Sequence, residues 1–150
     1  MDAAVLSPAD RLATALGQIG LTACAGTVQR AASFLFEDGQ ANFIVQPMSA
    51  DANRAPTVIT IESGHANHGR TRLTTLTVSP GVGCPGFYEQ TISWPTPCAE
   101  LQRTVFAEFK QIRPLMRQVT VSELNAGLQL YLLPSPSGQG CTSVKREMFR

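Results

Sequence analysis

The stretch Cys84-Pro85-Gly86-Phe87-Tyr88-Glu89-Gln90-Thr91-Ile92-Ser93-Trp94-Pro95-Thr96-Pro97-Cys98 decides how the chain must be built. From Phe87 to Trp94 the side chains alternate. Tyr88, Ile92 and Trp94 fall on one face and Glu89, Thr91 and Ser93 on the other, which is the period-two pattern of a half-buried strand. Such a strand spans roughly 25 Å at about 3.3 Å per residue. A disulfide needs Cα atoms about 5.5 Å apart. Cys84 and Cys98 are near in sequence but lie at opposite ends of the strand, so the spacing disfavours pairing them. Each then turns to Cys24 or Cys141. Cys24 and Cys98 read as members of apolar helical stripes facing one core, and Gly83-Cys84 and Gly140-Cys141 are alike as glycine-cysteine steps leading into strands. The favoured pairing is therefore Cys24 with Cys98 and Cys84 with Cys141; the other is Cys24 with Cys84 and Cys98 with Cys141.

Beyond the strand, Thr96 reads as a helix cap, Pro97 as the first helical residue and Glu100 as a first-turn acid. Cys98, Leu101, Val105, Phe109 and Ile112 then form an apolar stripe that Pro114 ends. Val119 and Val121 mark a strand, Asn125-Ala126-Gly127 a turn, and Leu128, Leu130 and Leu132 the inward face of the next strand. A loop with Pro134, Pro136 and Gly138 leads to a last strand from Cys141 to about Phe149. Toward the N-terminus, Ser7, Pro8 and Asp10 open a helix whose Leu12, Leu16 and Ile19 recur at helical spacing. Gly17 and Gly20 divide it from a main helix carrying Cys24, Val28, Ala31 and Leu35 and ending near Phe36. Glu37 to Gln40 is a turn, Asn42 to Gln46 a short strand closed by Pro47, and Ser49 to Pro56 a loop. Thr57 to Glu62 and Arg72 to Ser79 are β-branched strands. This order predicts an α+β fold, an antiparallel sheet with two main helices packed on one face and stabilised by disulfides. Residues 1–20 form a leader helix or extension and residues 21–150 one α+β domain.

A chain of 150 residues is long enough to bury about two-thirds of its unfolded surface. Charged residues make up only 15% of it, against about 25% in ordinary domains. With a net charge of +1 and no basic stripe, it lacks the electrostatic footprint of a nucleic-acid binder, so no nucleic acid is expected as partner. No apolar run approaches the roughly 20 residues of a transmembrane segment. Leu21-Thr22-Ala23-Cys24 fits a lipobox. However, Asp2 and Asp10 outweigh Arg11 in the preceding segment, and Thr14, Gly17 and Gln18 interrupt what should be an apolar core. Lipidating Cys24 would also leave Cys84, Cys98 and Cys141 with one unpaired. The expectation is a periplasmic or secreted protein whose signal peptide was removed before Met1. A lipoprotein anchored through Cys24 is the minority reading, and free core cysteines in a reducing cytosol are a further alternative.

Chemistry is sparse. No Cys-x-x-Cys suggests zinc. Ser63-Gly64 lacks the first glycine of a hydrolase elbow, and Gly81-Val82-Gly83-Cys84-Pro85-Gly86 leads into a strand where a phosphate loop would open a helix, so no cofactor is indicated. His65 and His68 lie beside Glu62, between Gly64 and Gly69, in the loop joining two strands. The sequence thus favours an exported, non-catalytic protein-binding module of inhibitor, immunity or assembly-accessory type. Its contact loop would carry Glu62, His65, Asn67, His68 and Arg70, presented to a protein partner from a rigid scaffold. The alternative is a small metal-dependent hydrolase or metal-binding protein using Glu62, His65 and His68, with Asp51 as a further carboxylate.

Overall fold

A computed structural model describes residues 6–36, 41–64 and 70–149. Helix α1 spans Pro8–Gln18, and its N-cap Ser7 accepts a hydrogen bond from the Asp10 backbone N–H at 3.1 Å. Gly20, with φ of +74°, ends that helical run, and α2 spans Ala25–Phe36. The strands are β1 Ala41–Pro47, β2 Thr57–Gly64, β3 Thr71–Val78 and β4 Gly86–Trp94. A short helix α3, Cys98–Arg103, precedes β5 Lys110–Gln111, β6 Thr120–Asn125, β7 Leu128–Pro134 and β8 Cys141–Phe149. All pair antiparallel in one eight-stranded sheet of order β1-β2-β3-β4-β8-β7-β6-β5. The expected α+β fold is what forms. It is two meanders joined where β4 lies beside β8, with Gly86 opposite Phe149 and Trp94 opposite Cys141.

All the helices pack on the same sheet face. Residues directly opposite each other in an antiparallel ladder share a face, so Ile59, Leu76 and Tyr88 lie in one row and Ile61, Thr74, Gln90, Lys145 and Leu130 in the next. Over β1 to β4, α1 and α2 bury Leu12, Leu16, Val28, Ala32 and Leu35 against Ile59, Ile61, Leu76 and Val78. Diagonally across the sheet, α3 and the segment after it bury Leu101 against Leu130, Leu132 and Cys141, with Trp94, Phe106 and Phe109 packed around them. The opposite face is uncovered over much of its extent. Leu73 and Met148 are exposed there, and Arg146 donates to Glu89 across β4 and β8 at 2.7 Å.

Three sequence expectations need correction. The disulfides are Cys24–Cys84 and Cys98–Cys141, with Cα separations of 5.7 and 5.0 Å, and not the favoured pairing of Cys24 with Cys98 and Cys84 with Cys141. The glycine-cysteine steps are alike in sequence but sit at opposite ends of the β4–β8 pair, because Cys141 faces Trp94 while Cys84 precedes Gly86. Cys24 is not part of a helical stripe either: its φ of +64° puts it in the turn before α2. The second main helix is also shorter than its stripe. It begins after Pro97, with no side-chain cap from Thr96, and stops at Arg103, leaving Val105 exposed. Gln102 holds the chain there, donating to the carbonyls of Phe106 and Phe109 at 3.3 and 3.1 Å and accepting from Ser122 at 3.0 Å. Phe106 and Phe109 then stack edge to face over the core, with centroids 5.9 Å apart.

Candidate functional site

The two helical caps cover opposite corners of one sheet face, and the strip between them is polar. Across β2, β3, β4 and β8 that strip carries Ser63, Arg72, Thr74, Gln90, Ile92, Lys145 and Ser143 on the helix side. Strand alternation places them there. In Arg72-Leu73-Thr74 and Val144-Lys145-Arg146, the apolar Leu73 and Val144 turn to the uncovered face, while Arg72 and Lys145 turn toward the helices. Over Arg72–Thr74 and Ser143–Lys145, polar and apolar residues are therefore the reverse of the usual inside-outside pattern.

Arg70 enters the strip from just before β3, its guanidinium 4.6 Å above the Trp94 ring, within cation–π range. The Trp94 indole N–H donates to Ser143 Oγ at 2.8 Å, which fixes the ring. At the other end the Tyr88 hydroxyl donates to Glu147 at 2.6 Å. Burial, and then that acceptor and its negative charge, raise the phenol pKa well above its ordinary value. Burial lowers the pKa of Lys145, and Arg72 pushes the same way by like-charge repulsion, with Glu147 opposing. Burial also lowers that of Arg72. The hydroxyls of Ser63 and Thr74 and the Nε of Arg70 are buried without a hydrogen-bond partner among the described residues. Groups left this way are uncommon in folded proteins and carry a desolvation cost of about 1–3 kcal/mol. At Glu147 the strip meets a cleft of about 340 Å³ that Glu147 lines together with Arg30, Ala31, Phe34, Tyr88 and Phe149.

Of the residues expected in the loop, His65, Asn67 and His68 lie outside the described residues. The strands do form the expected hairpin, with Gly64 opposite Thr71. Its two described ends diverge: Glu62 is exposed on the uncovered face and pairs with Leu73, whereas Arg70 reaches over Trp94 on the helix face. Asp51 lies in the loop before β2, at the far end of that strand from Glu62, and pairs with Arg54 at 3.2 Å. The structure does not bring Asp51 to Glu62, and among the described residues no group of three or more His, Cys, Asp or Glu could hold a metal ion. Ser63 is buried, which leaves its hydroxyl out of reach as a surface nucleophile. Sequence reading missed Arg72, Gln90 and Lys145. The signal that could have found them is the inverted alternation around Leu73 and Val144. No protein family, characterised protein or solved structure matches the chain.

Proposed function

We propose that the chain is an exported, non-catalytic module that binds a protein partner, of inhibitor, immunity or assembly-accessory type, through the trough between its two caps. The observation that carries this reading is that each cap is tied to the sheet by its own disulfide, at opposite ends of β4, with cationic and polar side chains held between them. A surface fixed in this way loses little conformational freedom on binding, and the lower ordering cost favours affinity. Two disulfides fit an oxidising compartment, and no described helix is long and apolar enough to cross a membrane. Periplasmic or secreted placement is part of the proposal.

Affinity capture from the native extracytoplasmic fraction tests it, with wild type compared against Arg72→Glu/Lys145→Glu in the trough and Leu73→Glu on the uncovered face. A partner retained by Leu73→Glu and lost by the trough variant is the expected result. Loss with Leu73→Glu alone would move the contact to the other face. Thiol trapping in the source cells should find all four cysteines oxidised; free thiols would refute export.

A further inference from the structure

We infer that the trough receives an extended acidic segment of the partner, its carboxylates meeting Arg70, Arg72 and Lys145; this rests on the proposed binding function. Arg72 and Lys145 lie two strands and two residues apart on the same face. Ordinary strand spacing makes that about 12 Å between Cα atoms, and Arg70 extends the row by roughly 7 Å. Alternate side chains of an extended peptide also recur every 7 Å or so, so neighbouring carboxylates match the Arg70–Arg72 step, and a carboxylate two repeats further, about 14 Å on, falls near the roughly 12 Å step to Lys145. No side-chain hydrogen bond or ion pair to another described residue engages the Lys145 ammonium. The carboxylate beside it on β8, Glu147, is taken by the Tyr88 hydroxyl. The face thus holds half-buried positive charge, with Arg72 repelling Lys145. An incoming carboxylate supplies Lys145 with an acceptor of opposite charge, and charge-assisted bonds of this kind are about twice as strong as neutral ones. Ile92 and Trp94 form the apolar floor between the cations.

Trp94 is the single tryptophan of the chain and lies under Arg70, so its emission reports occupancy without a label. The test titrates the whole oxidised protein with a synthetic heptapeptide of alternating Glu and Thr, and separately with inorganic sulfate. Saturable quenching or shift of Trp94 emission by the peptide below about 1 mM is expected, weakened about tenfold in Lys145→Gln and in Arg70→Gln, since one charge-assisted contact is worth roughly that factor. Lys145→Arg should keep the binding, and Arg117→Gln, exposed and distant in sequence from the trough, should change it by less than about twofold. Equal weakening in Arg117→Gln, no saturable response, or sulfate displacing the peptide at equal concentration would overturn the inference. If the peptide fails while trough variants still lose the captured partner, the acidic segment is wrong and the binding module stands.

Discussion

Removing one disulfide at a time should separate the two caps. Cys24–Cys84 closes a loop with a sequence separation of 60 and Cys98–Cys141 one of 43. The chain-entropy relation gives about 4 kcal/mol at 25 °C for each, through the conformations denied to the unfolded chain. The two intervals do not overlap, so the contributions should add to about 8 kcal/mol, comparable with the whole stability of an ordinary domain. For a chain of this size each should lower Tm by roughly 8–16 °C. The assay is reversible guanidinium unfolding of Cys24→Ala/Cys84→Ala, Cys98→Ala/Cys141→Ala and the quadruple variant. Local effects should differ as well. The six residues of α3 are far too few to hold as a helix alone, so loss of Cys98–Cys141 should collapse amide protection around Leu101 and leave α2 protected. A quadruple variant that loses more than about 1 kcal/mol less than the sum would mean that the loops are not independent, as in the crossed pairing. A Tm unchanged by reduction would refute the clamp altogether.

Other measurements bear on particular contacts. Leu101→Ala, at 1% exposure, should cost about 3 kcal/mol as a buried truncation, while Val105→Ala, at 55%, should cost under about 0.5 kcal/mol; similar losses in denaturant melts would mean that the helix continues past Arg103. The folded Tyr88 phenol keeps its proton above pH 10, where the unfolded chain loses it, so stability should fall as pH rises beyond about 10. Lys145, with its lowered pKa, contributes the opposite slope, and the difference between wild type and Tyr88→Phe isolates the phenol; identical slopes in both proteins would remove that assignment. Gly86→Ala should destabilise by about 1–3 kcal/mol, because its Cβ would run into the Thr77 carbonyl oxygen and the Phe149 ring. A neutral Gly86→Ala would show that β3 and β8 do not approach so closely there.

Most elements of the fold could be read locally, because strand alternation and the Ser7-Pro8 helix start depend on near neighbours. The strands around Ile59, Leu76, Tyr88 and Leu130 bury the side chains that their period-two pattern selects. The end of α3 could not be read that way. The apolar stripe continues through Val105 and Phe109, and what stops the helix is Gln102 taking two downstream carbonyls while Ser122, from a later strand, holds its amide. Tertiary partners of this sort override a local propensity worth only tenths of a kcal/mol per residue. The contact loop was only half legible for a similar reason: residues eight apart, Glu62 and Arg70, look adjacent on a hairpin, but strand parity sends them to opposite faces.

The disulfide pairing and the trough share one long-range cause, the placement of β8 beside β4. That antiparallel neighbour brings Cys141 to the Trp94 end of β4, where Cys98 emerges, and leaves Cys84 at the Gly86 end for Cys24. Strand length excludes a Cys84–Cys98 bridge, but which of the remaining pairings forms depends on which end of β4 each partner reaches. The same placement aligns Gln90 with Lys145 and Ile92 with Ser143, so that the polar residues of β8 continue the row begun by Arg72 and Thr74 on β3. Since each bridge clamps its cap at a different end of β4, neither cap can slide over that row without breaking a covalent bond or giving up its own core. The half-buried charge of Arg72 and Lys145 is thereby held where burial lowers the pKa of both. A structure selected for stability alone gains nothing from this, since apolar side chains in that row would pack at lower cost. Lys145→Met should therefore raise the unfolding free energy while weakening peptide binding, read from Trp94 emission, about tenfold. A variant that is destabilised, or that binds as tightly as the wild type, would break the link between the buried charge and recognition.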